Sequence, residues 1–158
     1  MITEENPKSL VLMVDDSDDD GTLLELAFQK LERFQLAGRV SGGHQAIAWL
    51  KGEGTYANRD QFPIPNVILL DLRMPNIDGF DVLKWIRSQS FPELRIVVLS
   101  GSESGDDAEK ALQMGAHFYR RKPLQFKEQI SMLKSLELHV GTVAPIQLSQ
   151  RPTTGGSV

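Results

Sequence analysis

Five short apolar runs divide this chain, and each is followed by a stretch whose apolar residues recur at helical spacing. The runs are SLVLMV at 9–14, QLAGRV at 35–40, NVILL at 66–70, RIVVL at 95–99 and HFYRR at 117–121. The first, third and fourth are continuous and rich in branched residues. They lack the in–out alternation of a half-solvated strand, so they read as strands covered on both faces. The intervening stretches predict helices over 18–33 (Leu23, Leu24, Ala27, Phe28, Leu31), 43–51 (Ala46, Ile47, Leu50), 79–89 (Phe80, Leu83, Ile86), 104–114 and 125–139 (Phe126, Ile130, Leu133). Strict alternation of buried strands and amphipathic helices leaves one economical architecture: an α/β fold with a parallel sheet between helices on both faces. The segment GEGTYANRDQFPIP, between the second helix and third strand, is a loop longer than such units usually carry.

A chain of 158 residues, 41% hydrophobic and 24% charged, suits one ordinary globular domain. We expect it to span 9–140, preceded by an extension at 1–8 and followed by a tail at 141–158. That tail loses periodicity and gains Pro, Gly, Ser and Thr, so it reads as mobile, or as an arm in which VAPIQL docks on a partner. The net charge of −4 argues against a nucleic-acid partner. The absence of cysteine excludes disulfides and thiolate metal sites. A polar, acidic start and no apolar run near the ~20 residues of a membrane helix predict a cytoplasmic protein with no membrane partner.

Four of the runs end in reactive side chains: Asp15 and Asp16, then Asp71, then Ser100, then Lys122 with Pro123. In a parallel sheet those ends share one edge, the edge where open α/β sheets bind ligands. Three carboxylates brought together repel, so they create a metal site or raise a pKa. Mg²⁺, a hard cation that takes oxygen ligands and keeps several waters, suits them. An aspartate can accept a phosphoryl group as an acyl phosphate, a transfer governed by alignment and charge neutralisation. Lys122 offers a further positive charge, and the Ser100 hydroxyl can donate to a phosphoryl oxygen.

In this order and spacing, Asp15-Asp16, Asp71, the turn MPNIDG, Ser100 and Lys122-Pro123 resemble the receiver domain of two-component response regulators, over about residues 8–140. The resemblance implies the flavodoxin-like (CheY-like) fold, with five strands in the order 2-1-3-4-5 and five helices. It also implies residue roles. Asp71 takes the phosphoryl group from the phosphohistidine of a sensor histidine kinase. Asp15, Asp16 and Asp71 hold Mg²⁺ with the backbone carbonyl of Arg73. Ser100 and Lys122 contact the phosphoryl group, Ser100 and Tyr119 form the switch, and the Lys122–Pro123 peptide is cis. The protein would catalyse its own phosphotransfer and dephosphorylation without being a multiple-turnover enzyme. Its output would be a downstream partner, a homodimer or a phosphotransfer protein, since few residues follow the last helix. The long loop and the segment DLRMPNIDGFDVLKWIRSQ further resemble single-domain receivers paired with bacterial phytochrome kinases.

Departures and rival readings accompany this. Arg120 replaces an apolar residue on the fifth strand, which requires an open strand edge or an acidic partner. Arg120 and Arg121 could join a dimer salt-bridge set with residues such as Asp107. Arg73 predicts a guanidinium beside the attack path, shielding the acyl phosphate from hydrolysis. Asp16-x-Asp18-x-Asp20-Gly21 copies the start of a calcium loop, but Ala27 stands where the closing Glu is required. Asp18-x-Asp20-Gly21-Thr22 resembles the nucleophile motif of haloacid-dehalogenase-type phosphohydrolases, although it lies three residues late. The plainer reading of Asp18 to Asp20 is a solvated helix start. A phosphorylation-independent interaction module is a further alternative. His44, His117 and His139 show no metal-like spacing, Trp49 reads as packed, and Trp85 lies off its helix's inward stripe, under the long loop or facing a partner.

Overall fold

The computed structural model describes residues 8–101 and 105–142. Its elements are β1 (Ser9–Val14), α1 (Asp18–Phe28), β2 (Phe34–Val40), α2 (Gly43–Lys51), a 3₁₀ turn (Gly54–Tyr56), β3 (Val67–Asp71), α3 (Gly79–Ser88), β4 (Arg95–Ser100), α4 (Gly105–Gln113), β5 (Phe118–Arg121) and α5 (Phe126–Thr142). All strand pairs are parallel, in the order β2-β1-β3-β4-β5, as the resemblance implied. The expected extension, the tail with its VAPIQL arm and the predicted start of α4 at 104 lie outside the described residues.

The strands' two-residue period sorts the core into two layers. Leu12, Val14, Ile68, Leu70, Ile96 and Val98 face the helices α2, α3 and α4, where Ala46, Leu50, Leu83 and Ile86 meet them. Their neighbours Val11, Met13, Val67, Leu69, Val97 and Leu99 face α1 and α5, against Leu24, Ala27, Leu133 and Leu136. Burial on both faces is why these runs carry no alternation.

Two helix ends and the long loop differ from the sequence reading. Helix α1 stops at Phe28, where the next backbone N–H groups tighten to carbonyls three residues back. Leu31 stays buried, but from the turn leading into β2. Helix α5 runs on to Thr142. The long loop is an ordered cap: Trp49, Tyr56 and Phe62 pack with ring centroids 5.1–5.2 Å apart. The Arg59 guanidinium donates to the carbonyls of Trp49 (2.8 Å), Leu50 (2.9 Å) and Phe62 (3.1 Å), satisfying the free end of α2. Trp85 packs on Phe91, in the α3–β4 connection. Among the described residues no helix is long and apolar enough to cross a membrane.

Candidate functional site

Strand register brings the four reactive ends together. Val14 pairs with Leu70, Asp71 with Leu99, and Ser100 with Arg121, so Asp15, Asp71, Ser100 and Lys122 emerge side by side. The Lys122 N–H donates to the Ser100 carbonyl at 2.8 Å, which fixes the β5 exit against β4. After β3 the chain must turn back at once into α3. Asn76 adopts φ 66° in that turn. A Cβ at Gly79 would lie 2.4 Å from the Asp71 carbonyl oxygen, so only glycine lets α3 start so close to the site. Asp78 and Asp81 then close a reciprocal capping box.

Asp15 and Asp71 are buried, Asp16 is exposed, and one carboxylate oxygen from each lies within 4.8 Å of the others. The Lys122 ammonium donates to Asp15 Oδ2 at 2.8 Å and to Asp71 Oδ2 at 3.4 Å. The Arg73 backbone N–H donates to Asp71 Oδ1 at 3.2 Å. Burial pushes the Asp71 carboxyl above the usual carboxylate range, and the Asp15 charge adds to this. The Lys122 charge and the Arg73 N–H pull it back only in part. For Lys122, burial opposes the charged form, yet the Asp15 hydrogen bond and the charges of Asp71, Asp15 and Asp20 outweigh it and hold the pKa above the ordinary lysine value. A pocket of hard oxygen donors that is short of positive charge fits Mg²⁺.

Several residues are placed differently from expectation. The Lys122–Pro123 peptide is trans, correcting the cis assignment. Trans is the intrinsically favoured isomer of an X–Pro bond, and in it the Pro123 carbonyl accepts from Gln129 Nε2 at 3.0 Å. The Arg73 guanidinium binds Asp107 on the first turn of α4, so Asp107 is engaged within the chain. Arg120 lies on the open edge strand, donating to the Tyr119 carbonyl and resting 5.8 Å from the Phe118 ring. Asp18 to Asp20 form the first helical turn, capped by Ser17, which is incompatible with a calcium loop. Asp18 pairs with Arg39 at 3.5 Å, away from a nucleophile's place. His117 is structural, its Nδ1 accepting from the Ile96 N–H at 3.0 Å. Ser100 is fully buried at the end of β4, and Tyr119 packs against the α2–α3–α4 layer.

Sequence reading missed Asp20, whose Oδ2 lies 3.5 Å from the Lys122 ammonium. No helical spacing could have found it, because Asp16 lies before the first residue of α1 and Lys122 is distant in the chain.

The model of the response regulator receiver domain matches residues 11–134. The chain belongs to the response regulator receiver family. Response regulator Rcp1 of Synechocystis sp. is 31% identical to this receiver over 140 residues, covering 87% of the chain and 92% of the relative. The phosphorylated cyanobacterial phytochrome response regulator RcpA superposes on the receiver with a TM-score of 0.76 at 29% identity, covering 87% of this chain and 96% of that one. The Mn²⁺-bound form of Rcp1 does so with a TM-score of 0.73 at 30% identity, covering 87% and 98%.

Proposed function

We propose that this receiver takes a phosphoryl group onto Asp71 from a histidine kinase, in a Mg²⁺-dependent reaction, and thereby switches a partner-binding face. The observation that carries the reading is the Lys122 ammonium lying between Asp15 and Asp71 inside the carboxylate cluster. Asp15, Asp16 and Asp71, with the Arg73 carbonyl, would hold the cation, which when bound neutralises charge on the phosphoryl oxygens. An Asp71 carboxylate oxygen attacks phosphorus, and the P–N bond of the phosphohistidine breaks with its electron pair going to the imidazole. The Lys122 ammonium and the Ser100 hydroxyl donate to phosphoryl oxygens. The doubly charged acyl phosphate then draws Ser100, and Tyr119 follows, changing the face formed by α4, β5 and α5. The Arg73 guanidinium, held by Asp107, screens the acyl phosphate from water. The receiver promotes its own phosphotransfer and dephosphorylation without multiple turnover on a free substrate.

Leu26 on α1 and Leu124 after β5 are 45% and 90% exposed, and exposed apolar side chains on these two elements suit kinase docking. Similarity to Rcp1 and RcpA supports a bacterial phytochrome as that kinase. Residues 9–140 form the receiver unit in the cytoplasm, and its output runs through a downstream protein, a phosphotransfer protein or a homodimer. Labelling with acetyl phosphate tests this: wild type takes up one Mg²⁺-dependent, base-labile phosphoryl group and Asp71→Asn takes up none. Equal labelling of the two would end the proposal.

A further inference from the structure

Asp20 stands outside the cation cluster yet touches its lysine, and the role inferred for it rests on the receiver reading. Three carboxylate oxygens surround the Lys122 ammonium: Asp15 Oδ2 at 2.8 Å, Asp71 Oδ2 at 3.4 Å and Asp20 Oδ2 at 3.5 Å. The ammonium hydrogen-bonds Asp15 and Asp71, and Asp20 completes its surroundings as an ion pair. Two of the three acceptors belong to the cation cluster of Asp15, Asp16 and Asp71, and Asp20 does not. A divalent cation and Lys122 therefore compete for Asp15 and Asp71, and Asp20 is left to the lysine. The Lys122 side chain is only 11% exposed, so water cannot readily replace the lost partners. Asp20 is itself anchored, since its backbone N–H donates to the Ser17 cap at 3.3 Å in the first turn of α1. Its side chain is 44% exposed, which leaves it room to follow the ammonium.

We infer that Asp20 is a positioning residue: it holds the Lys122 ammonium over the site once a divalent cation has drawn Asp15 and Asp71 away. Removing it leaves the ammonium competing with the cation for those carboxylates. Cation affinity then falls, and so does the rate of phosphoryl uptake at saturating cation, because the lysine is no longer aimed.

A double-mutant cycle with Mg²⁺ calorimetry tests this, since coupling between two side chains shows only as non-additivity. Asp20→Asn weakens Mg²⁺ binding by about five- to tenfold when Lys122 is present, and by less than about twofold in a Lys122→Met background. Asp19→Asn removes the same charge from the neighbouring, exposed position, and shifts affinity by less than about twofold in both. At saturating Mg²⁺, Asp20→Asn slows labelling by acetyl phosphate about fivefold, and Asp20→Glu restores most of the rate. The inference is overturned if Asp20→Asn behaves like Asp19→Asn, or if its effect is the same with and without Lys122. If wild type itself fails to label on Asp71, the receiver reading falls instead, so the two failures are distinct.

Discussion

Two buried carboxylates sit at opposite ends of the sheet. Glu137, on α5, is 7% exposed, and its Oε2 accepts the backbone N–H groups of Arg33 (2.8 Å) and Phe34 (3.1 Å), where the chain enters β2. Asp71, also 7% exposed, has one backbone N–H at 3.2 Å, a lysine at 3.4 Å shared with two other acids, and Asp15 for a neighbour. Glu137 is closed: its hydrogen bonds tie α5 to the start of β2. Asp71 is open, crowded by like charge and raised in pKa by burial. The difference teaches that burial of an acid does not by itself mark function. An acid whose environment leaves a charge deficit is ready for a cation and a phosphoryl group, whereas one satisfied by backbone donors is structural.

The contrast breaks or sharpens with mutation. Glu137→Ala strands two backbone N–H groups and lowers unfolding free energy by about 2–4 kcal/mol. Urea denaturation measures this, and labelling of Asp71 in the folded fraction stays within about twofold, because Glu137 touches nothing at the site. Should labelling collapse together with stability, the two acids are not separate systems.

A smaller effect of opposite sign is expected at Asp71. Its folded-state pKa is raised, so stability falls as pH rises from the ordinary carboxylate value through the raised one, and the full cost is present above that. Below the ordinary carboxylate range both folded and unfolded states are protonated and the cost is absent. Asp71→Asn in chelator therefore raises Tm by a few degrees at neutral pH. The gain fades as pH falls through the window just above the ordinary carboxylate value. A destabilised Asp71→Asn at neutral pH would place Asp71 in the same class as Glu137.

The smallest change is expected at Arg73. Arg73→Ala frees the Asp107 carboxylate, whose side chain is 12% exposed. Acyl-phosphate half-life in the absence of kinase shortens a few-fold, with little loss of Tm, since the Arg73 side chain is 62% exposed and its pairing is screened. An unchanged half-life removes Arg73 from the site's chemistry.

Much of the fold and site is legible in the sequence. Helical period marks the helices, while short length, branched residues and unbroken apolarity together mark a strand buried on both faces, as at Val67–Leu70. Asp15, Asp71, Ser100 and Lys122 are legible because each ends a strand, and a parallel sheet collects such ends automatically. Helix ends are less legible, because α1 stops where the chain must turn to meet β2 and the α5 carboxylate of Glu137. The long loop's order is hidden too: nothing local in NRDQFP says that Arg59 will cap α2 or that Phe62 will meet Trp49.

The order of residues by itself determined the layers, the reactive edge and the acids, hydroxyl and lysine that gather there, since these depend on short-range period and strand polarity. Only the folded chain decided which acid each cation holds. Asp20 reaches Lys122, Asp107 takes Arg73, Asp18 and Glu25 share Arg39, and the Lys122–Pro123 bond stays trans. Such pairings join residues far apart in the chain, and a few ångströms of helix placement choose among many carboxylates of equal chemistry.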